Sequence, residues 1–383
     1  MEYRDFGNTG FRPSALGFGC MRFPQLSDKD NRVDEAEATR MVRHAIDQGL
    51  NYVDTAWSYH SGESEPLLGR ILQDGYREKV GLATKMPSWL IEKKEDFDFY
   101  FSRQLERLQT DHIDFYLLHT LNQAYWNTYL ELRVFDWAEK QLADGKIRHL
   151  GFSFHDNFSV FKSILDGYDN WDFCQIQYNY MDVDYQAGER GLKAAAERGL
   201  GVVIMEPLKG GKLAIEVPPD PVRKAFEQAA TPRMPAEWAL QWLWDQPEVG
   251  LVLSGMSTFE QVELNLISAS RSGAGSFSPD DTRVIEKAQD AWQGLAPVAC
   301  THCEYCLPCP SGVLIPQIFE IYNNSAMYLQ QERGRKMYFN QIPEESRADA
   351  CVECGACEEL CPQHLTIIEY LKDAHLYLHE DPR

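Results

Sequence analysis

The sequence predicts an α/β protein in two parts, a (β/α)8 barrel of the TIM type followed by a small, mostly α-helical domain. Three observations predict this fold class. Short apolar runs alternate with longer amphipathic segments through the first three hundred of the 383 residues. Eight such pairs fit in about 270 residues, the size of one barrel. Eight of the ten cysteines follow residue 299, which indicates a separate C-terminal domain.

Short runs rich in apolar and β-branched residues are the predicted barrel strands. A doubly wound sheet is the alternative fold, but the GxGxxG turn expected after its first strand is absent. We expect strands near Leu16–Gly19, Tyr52–Asp54, Val80–Lys85, Ile113–His119, Ile147–Phe152, Phe173–Tyr178, Val202–Met205 and Val249–Leu253.

Segments with helix-period apolar faces separate the strands. They include Asp34–Gln48, Asp96–Leu108, Leu130–Ala143 and Pro235–Trp244. The opening stretch Tyr3–Pro13 predicts a hairpin ahead of the first strand. A last helix at Asp280–Gly294 places the domain boundary near Leu295–Ala299. The barrel is therefore predicted to span residues 1–295, and the C-terminal domain residues 296–383.

Charge and hydropathy exclude two classes of partner. A formal net charge of −21 at pH 7 leaves no excess of Lys and Arg to neutralise phosphates, so we expect no nucleic acid. No run of about 18 apolar residues occurs, and the opening residues lack the basic and apolar regions of a signal peptide. We therefore expect a cytoplasmic protein without membrane contact. The acidity suits either plain solubility or a docking surface for a redox partner.

Four polar residues fall at or just after the carboxyl ends of successive predicted strands, where TIM barrels carry their catalytic groups. They are Asp54, Tyr59, Lys85 and His119. Carbonyl reduction needs a proton donor, and a free tyrosine has a pKa near 10, which a neighbouring lysine lowers. An aspartate can hold that lysine charged, and a histidine can polarise the carbonyl or relay a proton.

This arrangement resembles the aldo/keto reductase family over about 290 residues. The Asp54-Thr55-Ala56-x-x-Tyr59 motif with Lys85 and His119 matches the family's catalytic tetrad. By that likeness, Tyr59 is the general acid/base, Asp54 and Lys85 tune it, and His119 orients the carbonyl. The resemblance also implies NADP(H) or NAD(H) bound across the barrel mouth by Met21, Arg22, Ser153, Gln175, Met205, Pro207, Leu208, Lys209, Gly211, Ser254, Gly255, Ser257, Gln261 and Asn265.

Three positions depart from the family pattern. Phe154 replaces the asparagine that usually follows the carboxamide-binding serine. Met205 stands where an aromatic residue usually stacks on the nicotinamide. Gln261 stands where an arginine often grips the 2′-phosphate, although backbone amides at this helix start still suit phosphate. The choice between NADPH and NADH stays open.

The C-terminal cysteines form two runs with close spacing. One is Cys300-x2-Cys303-x2-Cys306-x2-Cys309-Pro, and the other is Cys351-x2-Cys354-x2-Cys357-x3-Cys361-Pro. The second run is the bacterial ferredoxin pattern for [4Fe–4S] clusters, and the first is one residue short in its last gap. Zinc, disulfides, or a cluster at the second run alone are the alternatives.

In two-cluster ferredoxins, the fourth cysteine of each run ligates the other cluster. This likeness assigns Cys300, Cys303, Cys306 and Cys361 to one cluster, and Cys309, Cys351, Cys354 and Cys357 to the other. The combination resembles a bacterial and archaeal subfamily of aldo/keto reductases with a ferredoxin-type domain. Cys20 and Cys174 are expected to be ordinary buried residues.

The fusion leaves three functions open. The first is an NAD(P)H-dependent oxidoreductase of a carbonyl or alcohol, with clusters that are structural or modulate activity. The second exchanges electrons with ferredoxin or a similar carrier through the clusters, with a flavin as one way to split the hydride's two electrons. The third is a non-enzymatic redox-sensing module. The substrate is not legible, and Trp57, Trp89, Tyr125 and Trp126 are candidates for either its pocket or packing.

Overall fold

The computed structural model describes residues 1–27 and 30–379. Eight parallel strands close into a barrel in the order β1-β10-β9-β8-β7-β6-β5-β4, and β2 and β3 form a separate antiparallel pair. The (β/α)8 prediction is confirmed, and each of the eight predicted strands forms. The strands are β1 Leu16–Gly19, β2 Gln25–Ser27, β3 Asp30–Val33, β4 Tyr52–Asp54, β5 Gly81–Met86, β6 Ile113–Leu121, β7 Ile147–Phe154, β8 Phe173–Gln177, β9 Gly201–Met205 and β10 Leu251–Ser254.

Helices follow the barrel strands. Asp34 caps the first helix by accepting from the Glu37 amide, and Thr258 caps a later one through the Gln261 amide. The helices up to residue 293 are α1 Glu35–Asp47, α2 Ser64–Ile71, α3 Glu95–Leu108, α4 Gln123–Glu131, α5 Val134–Ala143, α6 Phe158–Asp166, α7 Gly188–Glu197, α8 Asp220–Phe226, α9 Pro235–Trp244, α10 Phe259–Ala269 and α11 Pro279–Gln293.

The predicted single helix Leu130–Ala143 is wrong, because two helices meet there. α4 ends at Glu131 and α5 begins at Val134. Arg133 between them has a left-handed φ of 56°, which interrupts the helical hydrogen bonds. No glycine or proline signals this break in the sequence.

The N-terminal end of the barrel is closed by the opening segment. A single antiparallel bridge joins Tyr3 to Ser14, where a hairpin was predicted. Phe6 is 1% exposed and packs edge-on against Phe115. A Cβ at Gly201 would come within 2.6 Å of the Phe6 ring, so that position accepts only glycine without a shift. This plug leaves the opposite end of the barrel for the site.

Four helices pack around the cysteine runs. They enclose an apolar core that includes Ile318, Phe319, Tyr338 and Leu371. The first of them, α12, lies between the two cysteine runs and ends at Met327. The helices are α12 Ile315–Met327, α13 Gln331–Gln341, α14 Ala356–Leu360 and α15 Ile367–His379.

The chain divides into two compact units. Unit 1 is Met1–Glu216 with Arg233–Asp281, and unit 2 is Val217–Pro232 with the chain from Thr282 onward. Most of α11 thus groups with unit 2, whereas the sequence assigns it to the barrel, and the boundary at residue 295 stays a prediction. Within residues 1–27 and 30–379, no helix is long and apolar enough to cross a membrane.

Candidate active site

A buried ion pair lies at the carboxyl ends of two neighbouring strands. Asp54 ends β4, and the parallel register places it opposite Ala83, two residues before Lys85 in β5. The Lys85 ammonium donates to Asp54 Oδ1 at 2.6 Å and Oδ2 at 2.7 Å, and to the Thr55 carbonyl at 2.8 Å. The Lys85 and Asp54 side chains are 1% and 3% exposed. Because the pair is shielded from water, each side chain needs the opposite charge of the other to remain ionised.

The two charges are held in different ways. Burial lowers the pKa of Lys85, but Asp54 and Tyr59 outweigh it, and the pKa is raised overall. Burial raises the pKa of Asp54, against the attraction of Lys85. Lys85 therefore remains an ammonium at neutral pH, with its charge directed at Asp54 and close to Tyr59.

Tyr59 begins the short turn Tyr59–Gly62 that follows β4. The Lys85 Nζ atom lies 5.2 Å from the centre of the Tyr59 ring. Burial raises the pKa of the Tyr59 phenol, and Lys85 lowers it only in part. Lys85 thus acts in the predicted direction, but burial prevails, and the phenol stays protonated at neutral pH. The protonated form is the one that can donate to a carbonyl oxygen.

His119 lies near the carboxyl end of β6, beside Tyr59. The two ring centres are 6.3 Å apart and the rings are nearly perpendicular. Burial, with help from the Lys85 charge, lowers the pKa of His119 well below its usual value. The imidazole is therefore neutral, and its buried Nδ1 has no hydrogen-bond partner among the described residues. A neutral ring nitrogen beside a phenol suits contact with a carbonyl substrate.

The four aromatic candidates for a substrate pocket separate into two groups. The Trp89 ring lies 5.2 Å from that of His119 and is 38% exposed. Trp126 is 4% exposed and belongs to the core, and Tyr125 is partly buried and packs against that core. Trp57 is stacked by the Arg107 guanidinium at 3.5 Å. Trp89 is the candidate that the structure places beside the reactive groups.

A groove of about 650 Å³ opens at this end of the barrel and reaches Asp54 and Tyr59. Lys85 and His119 are not part of its lining. Twelve of the fourteen predicted cofactor residues line it: Met21, Arg22, Gln175, Met205, Pro207, Leu208, Gly211, Ser254, Gly255, Ser257, Gln261 and Asn265.

The other two predicted cofactor residues lie outside the groove lining. The Ser153 hydroxyl accepts from the Thr120 amide at 2.7 Å. The Lys209 ammonium forms an ion pair with Asp182. Both side chains are engaged within the protein, so their contact with a cofactor stays a prediction.

Gln175 lines the groove, and its side chain has a buried acceptor that no described residue uses. Its Nε2 donates to the Met205 sulfur at 3.7 Å, while its Oε1 is buried without a partner among the described residues. A buried carbonyl oxygen without a hydrogen bond is costly unless a ligand supplies the donor. The primary carboxamide of a nicotinamide is such a donor, so the residues fit this cofactor.

The start of α10 forms one wall of the groove. The Gln261 side chain accepts from the Ser257 amide at 2.8 Å, and Thr258 accepts from the Gln261 amide at 3.2 Å. The Ser257 hydroxyl donates to the Arg22 carbonyl at 3.0 Å. Gln261 thus supports the backbone of this turn and brings no positive charge to it.

Sequence reasoning missed two sets of functional neighbours. The first is four glutamates of the groove wall, of which only Glu206 and Glu260 directly adjoin predicted positions. The second is Gln104, whose amide donates to Glu65 at 2.7 Å and to the Lys85 carbonyl at 2.9 Å behind β5. No local pattern reveals Gln104, since its partners are distant in sequence. The glutamates are Glu206, Glu216, Glu237 and Glu260.

In unit 2, the cysteines of the two runs come together across the sequence. Cys300, Cys303 and Cys306 share a small cavity with Cys361, as the crossed assignment predicts. Burial, with contributions from Glu358, Cys351 and Cys309, raises the pKa of the Cys357 thiol to about 11. Cys309 therefore lies near the second run. Cys354 is exposed, and its place as a ligand stays a prediction.

The donor sets suit a cluster better than a single ion. In the described parts of the chain, which contain all ten cysteines, no disulfide forms. No three His, Cys, Asp or Glu side chains there converge on one metal ion. The four thiolates around a cubane bind different irons and stand farther apart than the ligands of one zinc ion. Cys300, Cys303, Cys306 and Cys361 line one cavity and supply the four thiolates that a cubane needs.

A closed parallel barrel with a Lys–Asp pair, a tyrosine and a histidine at its carboxyl end, joined to two cysteine runs, defines an oxidoreductase with an iron–sulfur domain. The chain belongs to the aldo/keto reductase family, whose model matches residues 15–272. A 4Fe-4S dicluster domain model matches residues 299–366.

Known proteins agree with this placement. The chain is 31% identical over 234 residues to the uncharacterized oxidoreductase YrpG of Bacillus subtilis, covering 56% of this chain and 68% of that protein. It is 30% identical over 292 residues to L-galactose dehydrogenase of Arabidopsis thaliana, covering 70% and 87%. The holo form of aldo-keto reductase AKR11C1 from Bacillus halodurans aligns with a TM-score of 0.63 at 27% identity, over 75% of this chain and 96% of that one.

Proposed function

We propose that this chain is a nicotinamide-dependent oxidoreductase that interconverts a carbonyl and an alcohol, with two [4Fe–4S] clusters in its C-terminal part. The observation that carries the proposal is the buried Lys85–Asp54 pair beneath Tyr59, at the end of a groove with an unused Gln175 acceptor. When bound, the reduced nicotinamide supplies the hydride. The residues of this chain bind the cofactor, orient the carbonyl substrate and protonate its oxygen.

Tyr59 is the proposed proton donor. Its phenol is protonated at neutral pH and releases its proton to the oxygen of the carbonyl as that oxygen becomes an alkoxide. The adjacent Lys85 ammonium stabilises the resulting phenolate, and Asp54 keeps the ammonium in place. His119 donates from its neutral ring to the same oxygen and orients it toward Tyr59.

The groove wall favours NADH over NADPH. Arg22 is the one Lys or Arg among the described lining residues, and Glu206 lies 4.0 Å from it. Glu260 stands in the first turn of α10. A 2′-phosphate would add negative charge beside that carboxylate, and the one lining cation, Arg22, already faces Glu206, whereas a free ribose hydroxyl can donate to a carboxylate.

The eight C-terminal cysteines are the proposed cluster ligands. Cys300, Cys303, Cys306 and Cys361 hold one cluster, and Cys309, Cys351, Cys354 and Cys357 hold the other. Burial raises the pKa of the Cys300 thiol, and a backbone hydrogen bond from His302 offsets part of that rise. Left-handed φ angles at His302 and Glu304 turn the backbone back toward the thiols.

An anaerobic cofactor assay tests the proposal. We expect the purified holoprotein to oxidise NADH with an aldehyde such as 4-nitrobenzaldehyde. Gln175→Leu should weaken NADH binding about tenfold, because the carboxamide loses a buried acceptor. Absence of cofactor binding in the unsubstituted chain would contradict the proposal. Cluster reduction by NADH, followed by EPR with and without aldehyde, would instead favour electron exchange with ferredoxin or a similar carrier.

A further inference from the structure

His60 links two segments that each contribute residues to the groove lining, the turn that begins with Tyr59 and the turn that contains Met21 and Arg22. Its Nε2 accepts a hydrogen bond from the backbone N–H of Phe23 at 3.1 Å. Its ring stacks on that of Phe23, with ring centres 5.7 Å apart and an angle of 26° between the planes. An acceptor nitrogen carries no proton, and burial lowers the pKa of His60, so the ring is neutral.

The backbone at His60 is in a conformation that needs outside support. His60 has a φ of 51° and Ser61 a φ of 57°, and neither is glycine. Two consecutive left-handed residues are unfavourable unless surrounding contacts hold them. The contact between His60 and Phe23 is such a support, and it acts on the residue directly after Tyr59.

The other end of this contact leads to the groove. Phe23 is 3% exposed and directly follows the turn Cys20–Arg22. Met21 and Arg22 of that turn line the groove. The hydrogen bond from Phe23, a backbone hydrogen bond with Cys20 and the ring stack therefore join the turn that begins with Tyr59 to the turn that forms the groove wall.

We propose that His60 is a positioning residue that couples cofactor binding at Met21 and Arg22 to the placement of the Tyr59 phenol. This inference rests on the proposed function. It assigns His60 no contact with substrate or cofactor. Loss of the acceptor releases both turns, so cofactor affinity and the rate of proton donation fall together.

A matched pair of variants tests the coupling. His60→Leu and His60→Gln both carry an unbranched Cβ into the same left-handed conformation, but only glutamine offers an acceptor to the Phe23 amide. We expect His60→Leu to lower kcat with 4-nitrobenzaldehyde about tenfold and to raise the Kd for NADH about tenfold, the effect of one lost hydrogen bond. The KM for the aldehyde should stay the same. His60→Gln should recover most of both losses.

Ser61→Gly serves as the control for backbone strain, because glycine accepts the left-handed conformation at a position whose side chain offers Phe23 neither the imidazole acceptor nor the ring. We expect its kcat and Kd to equal those of the unsubstituted holoprotein. The Kd is measured by tryptophan fluorescence without aldehyde, so it does not depend on the choice of substrate. Equal values for His60→Leu and His60→Gln would overturn the coupling alone. An unsubstituted chain that binds neither NADH nor NADPH would overturn the proposed function, and the coupling with it.

Discussion

The barrel site and the cysteine sites hold their reactive groups in different ways. In the barrel, Asp54 and Lys85 belong to adjacent strands of a closed sheet and satisfy each other within the protein. In unit 2, seven of the eight cysteines lie outside helices and strands, Cys357 lies in α14, and Cys303 and Cys354 are exposed. The barrel site is thus preformed by packing and hydrogen bonds. The cysteine sites bring together thiolates that repel one another, so metal must complete them.

Because of this difference, we expect substitutions in the two parts of the chain to affect different measurable properties. A substitution in the barrel site should change chemistry and leave the iron content alone. A substitution among the cysteines should change the iron content and leave cofactor binding in the barrel alone. The predictions below test this separation.

The largest effect is expected at the proposed proton donor. Tyr59→Phe removes the phenol oxygen and keeps the ring, so reductive turnover with NADH should fall at least about a hundredfold, the usual contribution of a general acid. Steady-state kinetics measure the loss, and iron analysis should be unchanged. Turnover within twofold of the unsubstituted protein would remove Tyr59 from the mechanism.

The pH profile follows from the same phenol. Because burial raises the pKa of Tyr59 above its ordinary value of 10.0, the donor stays protonated through neutral pH. Aldehyde reduction should therefore be flat up to that value and fall about tenfold per pH unit beyond the raised pKa. Alcohol oxidation by the same protein needs the phenolate and should rise over the same range. A reductive rate that falls between pH 6 and 8 would contradict this assignment.

A smaller effect is expected from the groove wall. Glu260→Gln removes a carboxylate from the first turn of α10 and should shift kcat/KM toward NADPH by about fivefold, the effect of one partly screened charge. Glu63→Gln, which lies outside the groove lining, is the control and should leave the ratio unchanged. An unaltered NADH preference in Glu260→Gln would mean that this carboxylate does not face the ribose.

The smallest expected effect is a twofold change in the iron content of the chain. Anaerobically purified protein should contain about eight irons per chain, and Cys361→Ser should reduce this to about four. Cys309→Ser should also reduce the iron content to about four, through loss of the other cluster. Cys174→Ser, at a buried position in the barrel, should leave the iron content unchanged. NADH affinity should persist in all three. About four irons in the unsubstituted chain would contradict the two-cluster proposal.

Much of the fold and of the chemistry could be predicted from the sequence. The barrel strands follow from short apolar runs, and the tetrad positions follow from polar residues at their ends. The iron–sulfur domain could be predicted because the spacing of its cysteine ligands is a local pattern in the sequence. The break at Arg133 was missed because left-handed φ at a non-glycine residue has no composition signal.

Local pattern alone determined which residue types this protein uses: a Tyr–Lys–Asp–His set and two cysteine runs. Only the tertiary structure decided which of them meet. In the folded chain, Lys209 pairs with Asp182 and Cys361 lies beside the first cysteine run. Burial also raises the pKa of the Tyr59 phenol by more than Lys85 lowers it. The physical reason is that burial and long-range contacts depend on distances that the order of residues does not state.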